Sequence, residues 1–381
     1  MEGLNLLKEL VEINSETSNT KGVNAVQNRL KEELSSLGFN VSLIKNPDQS
    51  VNSGELLLAT KQGRTPRWIT FVCHADTVFR TDEFNHQLIF NDDKTKAIAP
   101  GIVDNKGGIV ILLNALKEVK EDTELGVRVI CSPNEETGSP GFHKLFSELG
   151  KDSEVVLGLE PALPNGDIIT SRKGNRWYDI SIEGKRAHSG REHHKGINAC
   201  VELALKISKI QELTDYERDI TVNVGKISGG EKHNVVSDHA MGQLDVRFPC
   251  FDTRSDLHQE IEEILSESEV LSAHDKKETD ISFEVVDDCP PFKQGPKSKK
   301  TFEFYKKCIE RIEKRSISSV SVGGAADSNH LNRRSSIVLD GLGAVGGGMH
   351  TYEEFIELSS LKTRAQALRN LIESAHQLTT I

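Results

Sequence analysis

Three apolar runs in this chain end in residues that bind metals or move protons, and a fourth such residue precedes a helical pattern. Phe71-Val72-Cys73 leads into His74-Ala75-Asp76. Val129-Ile130-Cys131 leads into Ser132-Pro133-Asn134-Glu135-Glu136. Val156-Leu157-Gly158-Leu159 leads into Glu160-Pro161. Asp104 lies in Pro100-Gly101-Ile102-Val103-Asp104-Asn105-Lys106-Gly107-Gly108, just ahead of the helical pattern. A charged group at the end of a buried strand costs free energy unless it is paired or binds metal. Ligands of open α/β sheets sit at the carboxyl ends of the strands, so these groups could meet in one crevice. Carboxylates gathered there repel one another, and bound dications remove the repulsion. Histidine with carboxylate oxygens suits Zn²⁺, with Mn²⁺ or Co²⁺ as substitutes. Taken singly, each acid is better read as an ordinary loop acid, and Asp104 stands where an aspartate caps a helix. Their recurrence at successive strand ends argues for a shared centre.

The elements that must position these residues can be read from periodicity. Val26, Leu30, Leu34 and Leu37 recur at helical spacing, and Gly38 follows as a cap. Phe39, Val41 and Leu43 alternate as a half-buried strand. Leu56–Ala59, Trp68–Cys73, Val127–Cys131 and Val155–Leu159 suit buried strands, with a helix over Ile109–Val119 between two of them. This alternation predicts an α/β fold with a mostly parallel sheet flanked by helices. After about residue 167 the texture changes. Trp177–Ile182, a helix over Ile197–Leu213, Ile220–Ile227, Gly242–Phe248, a helix over Leu257–Leu265, and Ile281–Val286 follow in the order β-α-β-β-α-β. That order predicts an inserted ferredoxin-like α+β domain over 168–286. A helix (Thr301–Lys314), a strand (Ser336–Leu339), a glycine-rich loop and a helix from about Glu353 resume the first texture. The catalytic domain is therefore expected at 1–167 and 287–381.

With the motifs in this order, the chain resembles the co-catalytic zinc family of carboxypeptidase G, aminoacylase, acetylornithine deacetylase and succinyl-diaminopimelate desuccinylase, metallopeptidase family 20. His74-Ala75-Asp76-Thr77-Val78 is similar to its first zinc motif, and Gly101 to Gly108 to its bridging-aspartate motif. Asn134-Glu135-Glu136-Thr137-Gly138-Ser139 is similar to its general-base motif. Leu159-Glu160-Pro161 and Met349-His350, the latter opening the last helical region, match the remaining ligands. The resemblance implies two Zn²⁺ per chain, bridged by Asp104, with His74 and Glu160 on one and Glu136 and His350 on the other. It implies that Asp76 orients His74, and that Glu135 is the general base, moving a proton from the attacking water to the leaving nitrogen. It also implies a lid that forms a homodimer. His188, in Arg186-Ala187-His188-Ser189-Gly190, would reach the partner's site and stabilise an oxyanion. Asn234, Arg247 and the Gly324 backbone would bind substrate.

The closest branch is the carboxypeptidase G type, acting on a small peptide or N-acyl amino acid beside a free carboxylate. Basic residues in Thr170-Ser171-Arg172-Lys173-Gly174 could help to hold such an anion. Asp287-Asp288-Cys289-Pro290 offers no arginine to clamp a glutamate side chain. The alternatives are an N-acyl amino acid deacylase and a non-catalytic binding descendant.

Bulk properties exclude other classes. The chain has 381 residues, enough for two domains, and a formal net charge of -11, which disfavours nucleic acid. The N-terminal ten residues lack a basic region and a long apolar run, and no stretch reaches the length of a membrane span. The six cysteines include no Cys-x-x-Cys pair. The expectation is a cytoplasmic protein with reduced thiols and no membrane partner. Gly341-Leu342-Gly343-Ala344-Val345-Gly346 fits a dinucleotide-binding pattern, but Gly347-Gly348-Met349 follows where a helix is needed.

Overall fold

Helices α1 (Leu4–Glu12) and α2 (Thr20–Ser36) open the chain in a computed structural model that describes residues 3–80, 86–120, 122–313, 315–333 and 336–379. Asn19 caps α2 by accepting the Gly22 N–H, and Gly38 at φ 80° follows its end. Next come β1 (Asn40–Ile44), β2 (Leu56–Lys61), β3 (Trp68–His74), β4 (Ile89–Phe90) and β5 (Lys96–Ile98). Helix α3 (Gly107–Glu118), β6 (Gly126–Ser132), α4 (His143–Leu149), β7 (Ser153–Gly158) and β8 (Ile168–Arg172) complete the first stretch.

The chain then runs through β9 (Gly174–Glu183), α5 (Ala199–Gln211), β10 (Thr221–Gly229), β11 (His239–Phe248), α6 (Phe251–Ser266) and β12 (Asp280–Cys289). It returns with α7 (Pro296–Glu313), β13 (Ser319–Val322), α8 (Asp327–Leu331), β14 (Ile337–Leu339), β15 (Gly346–Gly347), β16 (Phe355–Glu357) and α9 (Leu358–Thr379). These elements form two units. One comprises Met1–Ser171, Lys293–Val322 and Ala326–Ile381, and the other Arg172–Phe292 with Gly323–Ala325.

The first unit is built on a six-stranded sheet in the order β1-β2-β6-β3-β7-β14. The β6-β3-β7-β14 part is parallel, and β1 and β2 join antiparallel. Every residue of β6 is buried, as is every residue of β3 after Trp68, which is why both strands read as unbroken apolar runs. Helix α3 is buried from Gly107 to Leu116. The core joins α3, α7 and α9 to the sheet through residues such as Leu112, Phe302 and Leu368. Truncating a leucine such as Leu112 to alanine should cost about 2–5 kcal/mol.

The second unit has a sheet in the order β10-β11-β9-β12, antiparallel throughout, and a core from Tyr178, Leu203, Leu244 and Ile261. Its connectivity and strand order are those of a ferredoxin-like sheet. The expected limits of 168–286 differ from this unit at both ends. Residues 168–171 belong to β8, which pairs with β13 in the first unit, and β12 runs on to Cys289. Arg172 and Phe292 exchange backbone hydrogen bonds of 2.9 and 3.0 Å where the chain enters and leaves.

Three further points concern the last stretch. The final helix starts at Leu358 rather than near Glu353, because Phe355–Glu357 pairs with β5. Helix α7 is described to Glu313, so its expected end at Lys314 lies outside the described residues. The glycine-rich pattern from Gly341 leads into β15, not into a helix. No helix among the described residues is long and apolar enough to cross a membrane.

Candidate metal centre

Register sets the height of each side chain on the first unit's sheet. His74 on β3 pairs with Ser132 on β6, and Val72 pairs with Gly158 on β7. The residues just beyond these pairs therefore crowd the carboxyl edge of the parallel strands. His74 closes β3, Glu135 and Glu136 lie in a short 3₁₀ turn after β6, and Glu160 follows β7. Asp104 joins them from a tight turn ahead of α3. Its own dihedrals are extended (φ −118°, ψ 91°), and the Asp104–Asn105 peptide bond is cis. Two glycines permit this approach. Gly101 has φ 68°, and a Cβ on Gly108 would lie 2.4 Å from the Leu159 carbonyl oxygen.

The ligand atoms form two groups that share one residue. His74, Asp104 and Glu160 make the first, and Asp104, Glu136 and His350 the second. Within each, one donor atom per residue lies within 4.8 Å of the others. His74 Nε2 is 2.9 Å from Asp104 Oδ1 and 3.7 Å from Glu160 Oε1. His350 Nε2 is 3.5 Å from Asp104 Oδ2 and 3.3 Å from Glu136 Oε2. Asp104 therefore turns one oxygen to each imidazole. Each group offers three nitrogen and oxygen donors, the number that leaves a Zn²⁺ position open for a reactant. The residues fit a two-ion centre.

His350 does not open the last helix. It lies in the turn between β15 and β16 with φ 62°, a left-handed conformation uncommon for a side-chain-bearing residue. Gly348, at φ 70°, begins that turn, and Thr351 N–H donates to its carbonyl at 3.1 Å.

Buried neighbours orient the ligands. His74 Nδ1 is 3.0 Å from the main-chain oxygen of Asp76 and 3.4 Å from its carboxylate, so the backbone carbonyl helps to fix the imidazole. The Asp76 carboxylate also accepts the N–H groups of Glu135 at 3.0 Å and Glu136 at 3.2 Å, and the Thr17 hydroxyl at 2.7 Å. Asn105 donates to Leu159 O at 3.0 Å and to Glu160 Oε1 at 3.3 Å. Glu354 accepts three backbone N–H groups of the Asp104 turn. Lys106, fully buried, donates from Nζ to Ile13 O at 2.9 Å. Sequence reasoning does not find Thr17, Asn105, Lys106 or Glu354, because they act on groups brought near only by the fold.

Proton affinities record the excess of negative charge. Burial acts against a charge on His74, yet its contacts with Asp104 and Asp76 hold its pKa well above the ordinary value. Asp104 and Glu136 raise His350 to about 10. Burial opposes ionisation of Asp104, but His350 and His74 keep its pKa below the usual carboxylate range. Glu135 is raised well above that range by burial, then by repulsion from Glu160. Burial takes Asp327 up to about 6, Glu354 up to about 7 and Lys106 down to about 7. Carboxylates crowded about two imidazoles carry the kind of charge that two dications would neutralise.

The remaining predicted residues belong to the second unit. His188 is exposed, and its Nδ1 accepts the Gly190 N–H at 3.1 Å, so the neutral ring carries its proton on Nε2. Ser189 N–H donates to Asn234 O at 3.1 Å, which ties the two loops together. Arg247 Nε lies 2.9 Å from Asp245 Oδ1, and Trp177 Nε1 donates to the same oxygen at 3.0 Å. Gly324 O accepts from Arg172 Nη1 at 3.0 Å, and a Cβ on Gly324 would meet nothing within 4 Å. The expected basic stretch is engaged internally, since Lys173 Nζ lies 2.6 Å from Asp219. Arg176 and Arg254 both bond Asp288.

Comparisons with known proteins add to this geometry. A profile described as a peptidase dimerisation domain matches residues 170–270. The chain is 28% identical to carboxypeptidase G2 of Pseudomonas sp. (strain RS-16), over 96% of this chain and 87% of that protein. Its fold is similar to that of aminopeptidase PepT from Bacillus cereus ATCC 10987, with a TM-score of 0.76 at 22% identity, covering 98% of each chain. The YXEP protein of Bacillus subtilis, described as a dinuclear metal-binding peptidase, aligns with a TM-score of 0.67 at 15% identity over 98% of each chain. At those identities the two structures speak to fold alone.

Proposed function

This chain is a metal-dependent hydrolase belonging to metallopeptidase family 20, and from that premise we propose that it cleaves the amide bond beside a free carboxylate in a small peptide or N-acyl amino acid, as carboxypeptidase G does. The observation that carries the reading is Asp104, whose two oxygens face the two ligand groups from a buried turn. His74 and Glu160 would hold one Zn²⁺, and Glu136 and His350 the other. When bound, the two ions supply Lewis acidity and lower the pKa of water.

The chain's own residues do the rest. Glu135 is half-buried beside the ligand Glu136, and desolvation with repulsion from Glu160 raises its proton affinity, as suits a general base. It takes a proton from the attacking water and returns it to the leaving nitrogen. Asp76 fixes both His74 and the backbone of Glu135, so ligand and base keep one relative position. Arg247 and Asn234, with the Gly324 backbone, would bind the substrate carboxylate, and arginine suits this because its fork matches a carboxylate. His188 would donate from Nε2 to the oxyanion in the site of a second copy. The dimerisation-domain match over 170–270 supports a homodimer through the inserted unit.

A second reading, an N-acyl amino acid deacylase of the acetylornithine or succinyl-diaminopimelate type, is favoured by one observation. Arg176 and Arg254 both bond Asp288, and Asp287-Asp288-Cys289-Pro290 offers no arginine clamp for a glutamate side chain.

Two measurements test the proposal. Elemental analysis after zinc reconstitution should find two ions per wild-type chain and neither in Asp104→Ala. Turnover of C-terminal dipeptides, acyl-glutamates and N-acyl amino acids then separates the readings. A wild-type chain that takes up no metal would end both.

A further inference from the structure

Glu354 is fully buried four residues after His350, and no step above uses it. Its position follows from the small sheet that holds β16. Strand β16 pairs antiparallel with β5, and the ladder extends one step further, where Ala99 N–H donates to Glu354 O at 3.2 Å. Beyond Ala99 the chain leaves the ladder for the turn that carries Asp104. The backbone N–H groups of such a turn lose their water when buried, and each left unpaired costs free energy comparable to a lost hydrogen bond. The Glu354 carboxylate takes three of them. Oε2 accepts from Gly101 at 3.1 Å, and Oε1 accepts from Val103 at 2.8 Å and from Asp104 itself at 3.1 Å.

The same turn of chain supplies a ligand. From Gly348 to Glu354 it is closed by Thr351 N–H to Gly348 O at 3.1 Å and Glu354 N–H to Thr351 O at 3.3 Å. His350 lies within it and faces Asp104 Oδ2. One seven-residue turn therefore holds a ligand of the second group at one end and the anchor of the shared ligand at the other.

We propose that Glu354 is a positioning residue for the two-ion centre: by fixing the backbone of Asp104 against the turn of His350, it sets the shared carboxylate across both ligand groups and so determines the affinity for both ions. The inference rests on the two-ion reading of the site. Groups that orient metal ligands typically affect metal affinity by about 10–100-fold.

The test uses the metal-free full chain, zinc alone as probe, and a chromophoric chelator as competitor. Wild type, Glu354→Gln, Glu354→Asp and the exposed control Glu353→Gln are compared at a temperature where circular dichroism shows each folded. Glu354→Gln, which keeps shape but replaces one acceptor oxygen by a donor, should bind both ions about tenfold or more weakly. Glu353→Gln should match wild type. The visible bands of the Co²⁺-loaded protein should shift in Glu354→Gln, because the geometry of the shared ligand changes. Glu354→Asp keeps the charge in the same cavity with a shorter reach. It carries the test if the glutamine variant does not fold, and should also bind more weakly than wild type. Wild-type affinity and wild-type cobalt bands in a folded Glu354 variant would overturn the inference. So would an equal loss in Glu353→Gln. If the wild-type chain itself binds no second ion, the two-ion reading fails, and that outcome is separate.

Discussion

Asp76 binds the backbone of both adjacent glutamates, taking the Glu135 N–H on Oδ1 at 3.0 Å and the Glu136 N–H on Oδ2 at 3.2 Å. A single buried carboxylate thus holds the backbone of both neighbours in the turn. Only Glu136 joins a ligand group.

That division gives a direct comparison. Glu135→Gln keeps shape but cannot accept a proton. It should retain both metals while kcat falls by about 10²–10⁴-fold or more, with KM little changed. Glu136→Gln should lose metal. Elemental analysis and steady-state kinetics on the same preparations decide it, and reversed metal contents would exchange the two roles.

Metal uptake should release protons. Contacts with Asp104 and Glu136 raise His350 from 6.5 to about 10, and contacts with Asp104 and Asp76 raise His74 against the opposing effect of burial, so both imidazoles favour the charged form in the metal-free chain. Metal coordination needs them neutral. For the metal-free fold the sign runs the other way. The stabilisation from the raised His350 pKa is complete below about 6.5 and fades as pH rises through about 10. Zinc affinity should therefore rise with pH across the neutral range, with at least about one proton released per chain at pH 7, from His350. Titration calorimetry in buffers of different ionisation enthalpy measures that number. A value near zero would show that metal does not displace a proton from His350.

Arg247 sits against Asp245, which also accepts the Trp177 indole N–H. If Arg247 binds the substrate carboxylate, Arg247→Lys loses the two-pronged contact and should mainly raise KM. Amidating that carboxylate should abolish turnover. Equal turnover of free and amidated substrates would remove Arg247 from substrate recognition.

His188 offers a test of assembly. Sedimentation should find a dimer that depends on the inserted unit. Mixed His188→Ala and Glu135→Ala chains, each inactive alone, should regain part of the activity once subunits exchange. Demonstrated exchange without recovery would place the action of His188 within its own chain, or nowhere in the reaction.

Four of the candidate ligands are legible in the chain because each follows or joins an apolar run, and strand direction brings such ends together. His74, Glu136 and Glu160 stand out because charge at or close behind the end of a buried strand is unusual. What could not be read has a common cause. Glu354, Asn105 and Thr17 act through contacts with groups 59 to 253 positions away, or 54 for Asn105. No local pattern encodes those distances. The sheet of β4, β5, β15 and β16 escaped notice because strands of two or three residues are too short to alternate. His350 looked helical because the residues after it carry β16 straight into α9, with no turn signal between them.

The inserted unit lies between Glu160 and His350, and this ordering has a consequence for the growing polypeptide. His74, Asp104, Glu136 and Glu160 are all synthesised before the inserted unit. His350 and Glu354 follow it. At translation rates of about 5–20 residues per second, the interval from Glu160 to His350 lasts roughly 10–40 s. During that time the nascent chain holds all the donors of one ligand group and only two of the three in the other. Strand β14, the edge of the parallel sheet, is also still missing. The second ion position therefore cannot be completed until almost the whole protein has been synthesised, by which time the inserted unit has had the opportunity to fold.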